Sequence, residues 1–160
     1  MKTDPIPQPD AQTVAAYETT NYFAHADRPI LLRVGDAPAI HSAWLRRSNA
    51  SSATVLTAWN PFSETASPEQ NDRAQAELLD TIGAAELQWL PASGQDPAGT
   101  WEPEPGFCVF DVPEMLLDEW LVKFRQNAAV RLTLDQPCRL VWHPSIRAGM
   151  ADAQTLDSTH

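Results

Sequence analysis

Residues 54–71 constrain the fold of this chain more strongly than any other part of it. Residues 54–59 are a short run whose two alternating faces are both largely apolar, which is typical of a central strand covered on both sides. The run ends at Asn60 and Pro61, and the proline favours an extended backbone at Asn60. Ser67 and Gln70 then form a capping box with Pro68 at the first helical position, which predicts that a helix begins there.

Similar patterns predict the other elements. Helices are expected over about 11–18 with Asp10 as its cap, over 39–47, over 68–83, and after a cap at Asp111 or Val112. Strands are expected within 22–34, around 87–89, and at 107–110, 129–133 and 139–142. Residues 91–106 hold four prolines and three glycines, which favours a long loop. Buried stripes are predicted on two of the helices, made of Ile40, Trp44, Leu117, Trp120, Leu121 and Phe124.

This order of elements predicts an α+β or α/β fold, a single domain with a mixed sheet and helices packed on it. The segment from Thr54 to Leu87 is expected to form one strand–helix–strand crossover. We expect residues 1–10 to be a flexible arm, residues 11–143 to be the globular domain, and residues 144–160 to be a disordered tail.

Composition excludes several classes of function. The formal net charge of −10 argues against a nucleic-acid partner, because acidic surfaces repel phosphate backbones. Solubility is the simplest reason for the charge, and a basic protein partner is the alternative. No apolar run is long enough to cross a membrane, and the polar N-terminus does not resemble a secretory signal, so a cytoplasmic location is expected.

The metal-ligating residue types are too scattered to predict a metal or a cofactor. Cys108 and Cys138 lie in separate apolar runs, and the four histidines do not cluster with them. A metal site needs such residues at close spacing. Both cysteines are therefore expected to be buried small hydrophobic residues, with a disulfide as the alternative.

Asn60 is the first candidate binding residue, because it follows the predicted central strand and precedes a helix N-terminus. Ligands of α/β sheets often bind beyond strand ends, beside such helix starts. Asn71 lies in the first turn of that helix, on its apolar side. A structural turn at Asn60 and a backbone partner for Asn71 are the alternatives.

Two further segments carry polar residues of interest. Glu102 lies beside Trp101 in the predicted long loop, and Glu104 follows two positions later. Carboxylates beside an indole can bind a cation or act in acid–base chemistry, although a solvated loop explains them equally well. Gln126 follows the last long helix, where it either caps that helix or reaches the Asn60 corner.

Several features together form a recognisable set: Tyr17, Tyr22, residues 30–35, 57–61, Asn71, Arg73, 101–107 and 126–128. This set resembles a bacterial family catalogued only as domain of unknown function 3293, over roughly residues 14–142. The resemblance implies a small, stand-alone soluble protein and names no activity. The site residues that it implies are Thr57, Asn60, Asn71, Glu102 and Gln126, with Glu104 as an alternative to Glu102.

No established catalytic pattern is present: the chain has no glycine-rich phosphate loop, nucleophile elbow or zinc-binding helix. We therefore expect a small-molecule-binding domain with a polar site at the Asn60-Pro61 turn and the following helix N-terminus. The alternatives are an acidic protein-interaction module, such as an inhibitor or accessory subunit, and a purely structural role for these polar residues.

Overall fold

Strand β3 (Ser52–Leu56) lies inside a seven-stranded sheet, and all five of its residues are buried. It pairs with β5 (Glu104–Phe110) on one side and with β6 (Ala128–Thr133) on the other. The structure is a computed structural model that describes residues 6–157, with side chains through residue 152. The prediction of a central strand covered on two faces is confirmed, although the strand ends three residues before Trp59.

The remaining strands extend this sheet in both directions. The order is β2-β1-β4-β5-β3-β6-β7, and every ladder is antiparallel. The sheet curls into a half-barrel. Their bounds are β1 Asn21–His25, β2 Pro29–Leu32, β4 Trp89–Gln95 and β7 Arg139–Trp142.

The α+β prediction is confirmed, whereas the prediction of a mixed sheet is wrong. Three strand pairs, β1–β2, β4–β5 and β6–β7, are joined by short connections, and such hairpins are antiparallel. The predicted crossover from β3 to β4 does join two strands that run in the same direction. Strand β5 lies between them, however, so the crossover creates no parallel ladder.

Within the described residues, five α-helices surround the sheet. Helix α3 begins with the predicted capping box at Ser67 and Gln70, and Asp10 caps α1. The predicted stripe of α4 is also confirmed, since Leu117, Trp120 and Leu121 are buried. The helices are α1 Ala11–Thr19, α2 Pro38–Arg47, α3 Pro68–Ala84, α4 Glu114–Lys123 and α5 Pro144–Asp157.

Each face of the sheet carries its own hydrophobic core. Trp44 and Leu45 of α2 pack against one face, which we call the α2 face. Helices α3 and α4 cover the opposite face with residues such as Leu78 and Leu121. The two predicted cysteines, Cys108 and Cys138, are free thiols buried in the α2-face core.

Several local predictions differ from the structure. Ile40 is 63% exposed, because α2 turns His41, Trp44 and Leu45 inward instead. Helix α4 is capped by Pro113 without a side-chain bond. The Asp111 carboxylate instead accepts hydrogen bonds from the Ser51 and Ser52 amides.

The largest difference concerns residues 91–106, which form most of a β-hairpin. The ladder between β4 and β5 runs from Trp89↔Val109 to Gly94↔Glu104, so the connecting loop covers only 96–103. Prolines are tolerated where a strand lacks a neighbour on one side. Pro105 meets this condition, because β3 ends opposite Phe107 and leaves the rest of β5 paired only with β4.

Both chain ends bear on the predicted domain limits. Residues 1–5 of the expected arm lie outside the described residues. At the other end, α5 occupies most of the segment expected to be a disordered tail, and Ile146 is fully buried. No helix in the described part of the chain is long and apolar enough to span a membrane.

Candidate functional site

The turn after β3 has an unusual backbone. Asn60, Phe62 and Ser63 all have positive φ values, of 44°, 52° and 62°. Such values are uncommon outside glycine and often mark turns near functional sites. The expectation of an extended Asn60 is therefore wrong. The tight turn is held from outside, since the Phe62 amide donates to the Arg125 carbonyl at 2.7 Å.

Asn60 and Asn71 form a reciprocal pair at this turn. The Asn60 backbone amide donates to Asn71 Oδ1 at 2.8 Å, and Asn71 Nδ2 donates to Asn60 Oδ1 at 2.9 Å. Asn60 Oδ1 also accepts from the Ala66 amide at 3.0 Å. Asn71 is 3% exposed, so a structural role explains why a polar residue lies on the apolar side of α3. We call this pair and its turn the asparagine corner.

The N-terminus of α3 is also satisfied within the chain. The Ser67 side chain accepts from the Gln70 amide, and the Gln70 side chain accepts from the Ser67 amide, each at 3.1 Å. The Asn71 amide donates to the Ser67 carbonyl. The first turn therefore uses its own capping box for the amides that a ligand anion would need.

Thr57 closes the unpaired edge of β5. Its hydroxyl donates to the Pro105 carbonyl at 2.7 Å, and Gln75 Nε2 donates to the same oxygen at 2.7 Å. Gln75 Oε1 accepts from the Ala58 amide at 2.8 Å. Sequence reasoning missed Gln75, although it follows Asn71 by four positions and so shares its helix face.

Gln126 reaches the asparagine corner, as one of its two predicted roles required. Its side chain is 4% exposed, and Nε2 donates to the Phe124 carbonyl at 3.1 Å and the Trp59 carbonyl at 3.3 Å. The neighbouring Asn127 donates to Ser63 Oγ at 3.0 Å. The turn after α4 thus fixes the turn after β3.

A cavity of about 370 Å³ opens beside the asparagine corner, between α1 and the sheet. It lies where β3 has ended while β4 and β5 continue. Thr57, Asn60 and Gln126 line it together, whereas Asn71 and Glu102 do not. Its other walls include Tyr17 from α1, Tyr22 from β1, Val55, Trp59, Gly94, Trp101, Glu104, Gly106 and Val130.

Glu104, not Glu102, faces this cavity. Glu102 is exposed in the loop between β4 and β5, whereas Glu104 is half-buried at the start of β5. The residue opposite Glu104 in the ladder is Gly94, and the Thr20 methyl group and the Tyr22 ring lie 3.4 to 3.6 Å from the point where a Gly94 Cβ would stand. Burial raises the pKa of Glu104, and a hydrogen bond from the Asn60 side chain offsets that rise only in part.

Two tyrosines form the wall opposite Glu104. The Tyr22 hydroxyl donates to the Tyr17 carbonyl at 3.2 Å, and the Tyr17 side chain hydrogen-bonds Ser63 and Asn127. Burial raises the pKa of both phenols, and the nearby Glu104 charge raises each of them further. The resemblance had drawn attention to both tyrosines, but their place in the site depends on long-range contacts that no local pattern reveals.

The charge distribution of the cavity is simple. Glu104 is the one charged residue among the described residues that line it, and the lining contains no lysine, arginine or histidine. The ion pairs found within residues 6–152 do not include Glu104. The same part of the chain holds no group of three or more metal-ligating side chains.

Residues 56–129 match the family model described as protein of unknown function (DUF3293). The chain carries a DUF3293 domain. The matched stretch begins in β3 and ends in β6, and it contains Thr57, Asn60, Asn71, Glu104 and Gln126. It is shorter than the range of 14–142 expected from the sequence, so Tyr17 and Tyr22 lie outside it. No curated protein and no solved structure matches the chain.

Proposed function

We propose that this protein binds a small molecule in the cavity between α1 and the sheet. The observation that carries the proposal is the cavity itself, about 370 Å³ in volume and walled by Tyr17, Tyr22, Trp59 and Trp101. Ligand sites are typically clefts of this size, lined mainly by apolar and aromatic groups with a few converging polar atoms. Glu104 and the Asn60 and Gln126 amides supply the polar atoms.

The proposed site differs from the site expected from the sequence in two respects, since Glu104 replaces Glu102 and Asn71 does not line the cavity. The asparagine corner forms part of its rim, but Asn71 and the N-terminus of α3 act as support behind it. Asn60 connects the asparagine corner to the cavity, because its side-chain amide hydrogen-bonds Asn71 at one end and Glu104 at the other. Its role in the proposal is to orient the carboxylate toward the ligand.

The loop between β4 and β5 is the proposed cover of the cavity. Trp101 belongs to this loop, lines the cavity and is 37% exposed. Loops that carry one aromatic residue over a site often close on a ligand and exclude water. We propose that residues 96–103 act in this way.

The interaction-module alternative depends on the net charge of −10. A docking surface would be expected to gather exposed apolar side chains into one patch. The exposed large apolar residues are instead distributed over several elements: Leu31 of β2, Ile40 of α2, Trp89 of β4, Trp101 of the loop after β4, and Met115 and Val122 of α4. The cavity is therefore the better-supported basis for a function.

A thermal-shift screen of amines, amino acids, organic acids, sugars and nucleotides tests the proposal. A ligand present at one hundred times its dissociation constant adds about 2.7 kcal/mol to the free energy of unfolding. In a domain of this size the melting temperature then rises by roughly 5–11 °C.

Ala16→Trp locates any hit. Both Ala15 and Ala16 are exposed on α1, but Ala16 lines the cavity and Ala15 does not, so an indole at position 16 should fill part of the cavity. We expect Ala16→Trp to abolish the shift and the matched Ala15→Trp variant to keep it. A screen without hits, or hits that bind both variants equally, would contradict the proposal.

A further inference from the structure

The charge of the cavity limits which ligands it can hold. Glu104 brings a carboxylate to an enclosed wall, and the cavity residues provide no basic side chain to neutralise it. A charge removed from water without a partner is costly. The Asn60 amide is the one side chain whose hydrogen bond lowers the pKa of Glu104, and it supplies a dipole in place of a full positive charge.

The strand register places an aromatic ring two strands away from this carboxylate, on the same face of the sheet. Glu104 lies opposite Gly94, and Gly94 in turn lies opposite Tyr22. Because Gly94 has no side chain, the Tyr22 ring packs over it, with ring carbons 3.5 and 3.6 Å from the point where a Cβ would stand. A phenol ring and a carboxylate therefore line the cavity from the two strands that flank Gly94.

The aromatic walls favour the same kind of ligand. Tyr17, Tyr22, Trp59 and Trp101 line the cavity together with Glu104. Aromatic faces attract cations, and an aromatic box with a carboxylate is well suited to an ammonium group. The lining offers an anion neutral donors but no positive charge, and the Glu104 carboxylate repels it.

We propose that the ligand of this cavity is an organic cation, an ammonium group attached to an apolar or aromatic body, with the ammonium held at Glu104. This inference rests on the proposed binding function and names its ligand class. The apolar body would lie against Val55 and Val130, which line the cavity from β3 and β6. The net charge of −10 would also attract cationic molecules from solution.

The experiment compares probes that share one apolar body and differ only in the terminal functional group. Phenylpropyl, cyclohexylpropyl and indolylethyl bodies are each tested as the amine, the alcohol and the carboxylic acid, by calorimetric titration at neutral pH. We expect an amine to bind at least about tenfold more tightly than its alcohol, because hydrogen bonds to a charged partner are the stronger ones. The matching acid should bind more weakly than the alcohol.

Two glutamate variants test the role of Glu104. Glu104→Gln removes the charge and keeps the shape, so we expect the preference for amine over alcohol to disappear. Glu102→Gln removes the same charge from the exposed loop, outside the cavity, and should keep the preference. The proposal is overturned if amines and alcohols bind wild type equally, or if Glu104→Gln keeps the preference.

The Ala16→Trp variant separates this inference from the proposed function. In one outcome, alcohols or acids bind wild type at least as tightly as the amines do, and they lose affinity in Ala16→Trp. That outcome would overturn the cation inference alone. If no probe of any charge binds, or if binding is unaffected by Ala16→Trp, both the inference and the proposed cavity function fail.

Discussion

The asparagine corner and the cavity wall at Glu104 are neighbours that share Asn60, but they differ in how far their polar groups are paired within the chain. In the corner, Asn71 is 3% exposed and both ends of its amide bond to Asn60. In the wall, the Glu104 carboxylate is half-buried and takes part in none of the ion pairs within the described side chains. One region is closed within the chain, while the other is open toward a cavity.

This difference separates residues that build the site from residues that can meet a ligand. A buried amide with all its bonds made inside the chain gives rigidity, and it has little left to offer a ligand. A carboxylate that is partly desolvated and lacks a cation still has a favourable interaction to gain. The corner is therefore best understood as the frame of the proposed site, with Glu104 as its proposed binding group.

The largest loss of stability is expected from a substitution that disrupts the asparagine corner. Asn71→Ala removes two hydrogen bonds and leaves the Asn60 backbone amide without its partner. Unsatisfied buried polar groups cost about 1–3 kcal/mol each, so we expect a loss of about 2–3 kcal/mol. The melting temperature should fall by roughly 4–12 °C in a thermal scan.

Asp72→Ala is the matched control for that variant. Asp72 follows Asn71 on the same helix but is exposed, and surface substitutions usually change stability by less than about 0.5 kcal/mol. Equal stability of the two variants would show that the corner is not a structural frame, and the contrast with the Glu104 wall would be lost.

A smaller effect is expected at the cavity floor. A Cβ atom at Gly106 would lie 2.7 Å from the Leu56 carbonyl oxygen, which is backbone and cannot move aside. Gly106→Ala should destabilise the domain by about 1–3 kcal/mol, as overpacked sites usually do. Urea denaturation measures this loss.

Gly83→Ala serves as the comparison, because it should change stability in the opposite direction. Gly83 lies in α3, and an added Cβ there would have no atom within 4 Å. Alanine is the better helix former, so this variant should be more stable by about 0.5–1 kcal/mol. If both glycine variants changed stability alike, the close approach of β5 to the end of β3 would not explain the glycine at 106.

Local sequence patterns were sufficient to predict much of the frame. The capping box at Ser67 and the stripe of α4 depend on residues three or four positions apart, and such spacings report helices directly. The buried strand before Asn60 was predictable from another local pattern, a short run whose two alternating faces are both largely apolar. The family resemblance grouped Thr57, Asn60 and Gln126 with Asn71 and Glu102 as site residues, and the structure brings the first three to the cavity rim.

The cavity itself was not predictable from local patterns. Its floor depends on β5 continuing past the end of β3, in a proline-rich segment whose composition favours a loop. The choice between Glu102 and Glu104 depends on the hairpin register, which places Glu104 opposite Gly94. Tyr17 and Tyr22 reach the site through α1 and β1, far from Glu104 in sequence.

The smallest expected effect is on the pH dependence of stability, and it tests the cavity wall at Glu104. Burial raises the pKa of Glu104 above its ordinary value of 4.5, with the Asn60 hydrogen bond as a partial offset. Between 4.5 and that raised pKa, the folded protein binds more protons than the unfolded chain. The contribution of this group to stability therefore falls as pH rises through that window.

Glu104→Gln removes this dependence, so the stability of the variant relative to wild type should increase as pH rises from about 4 to about 7. Urea denaturation of both proteins across this range measures the difference, and Glu102→Gln controls for the loss of one formal charge. A relative stability of Glu104→Gln that falls with rising pH would mean that the folded protein stabilises the charged carboxylate. Glu104 would then be a satisfied group like those of the asparagine corner, and the cavity would have no need of a cationic ligand.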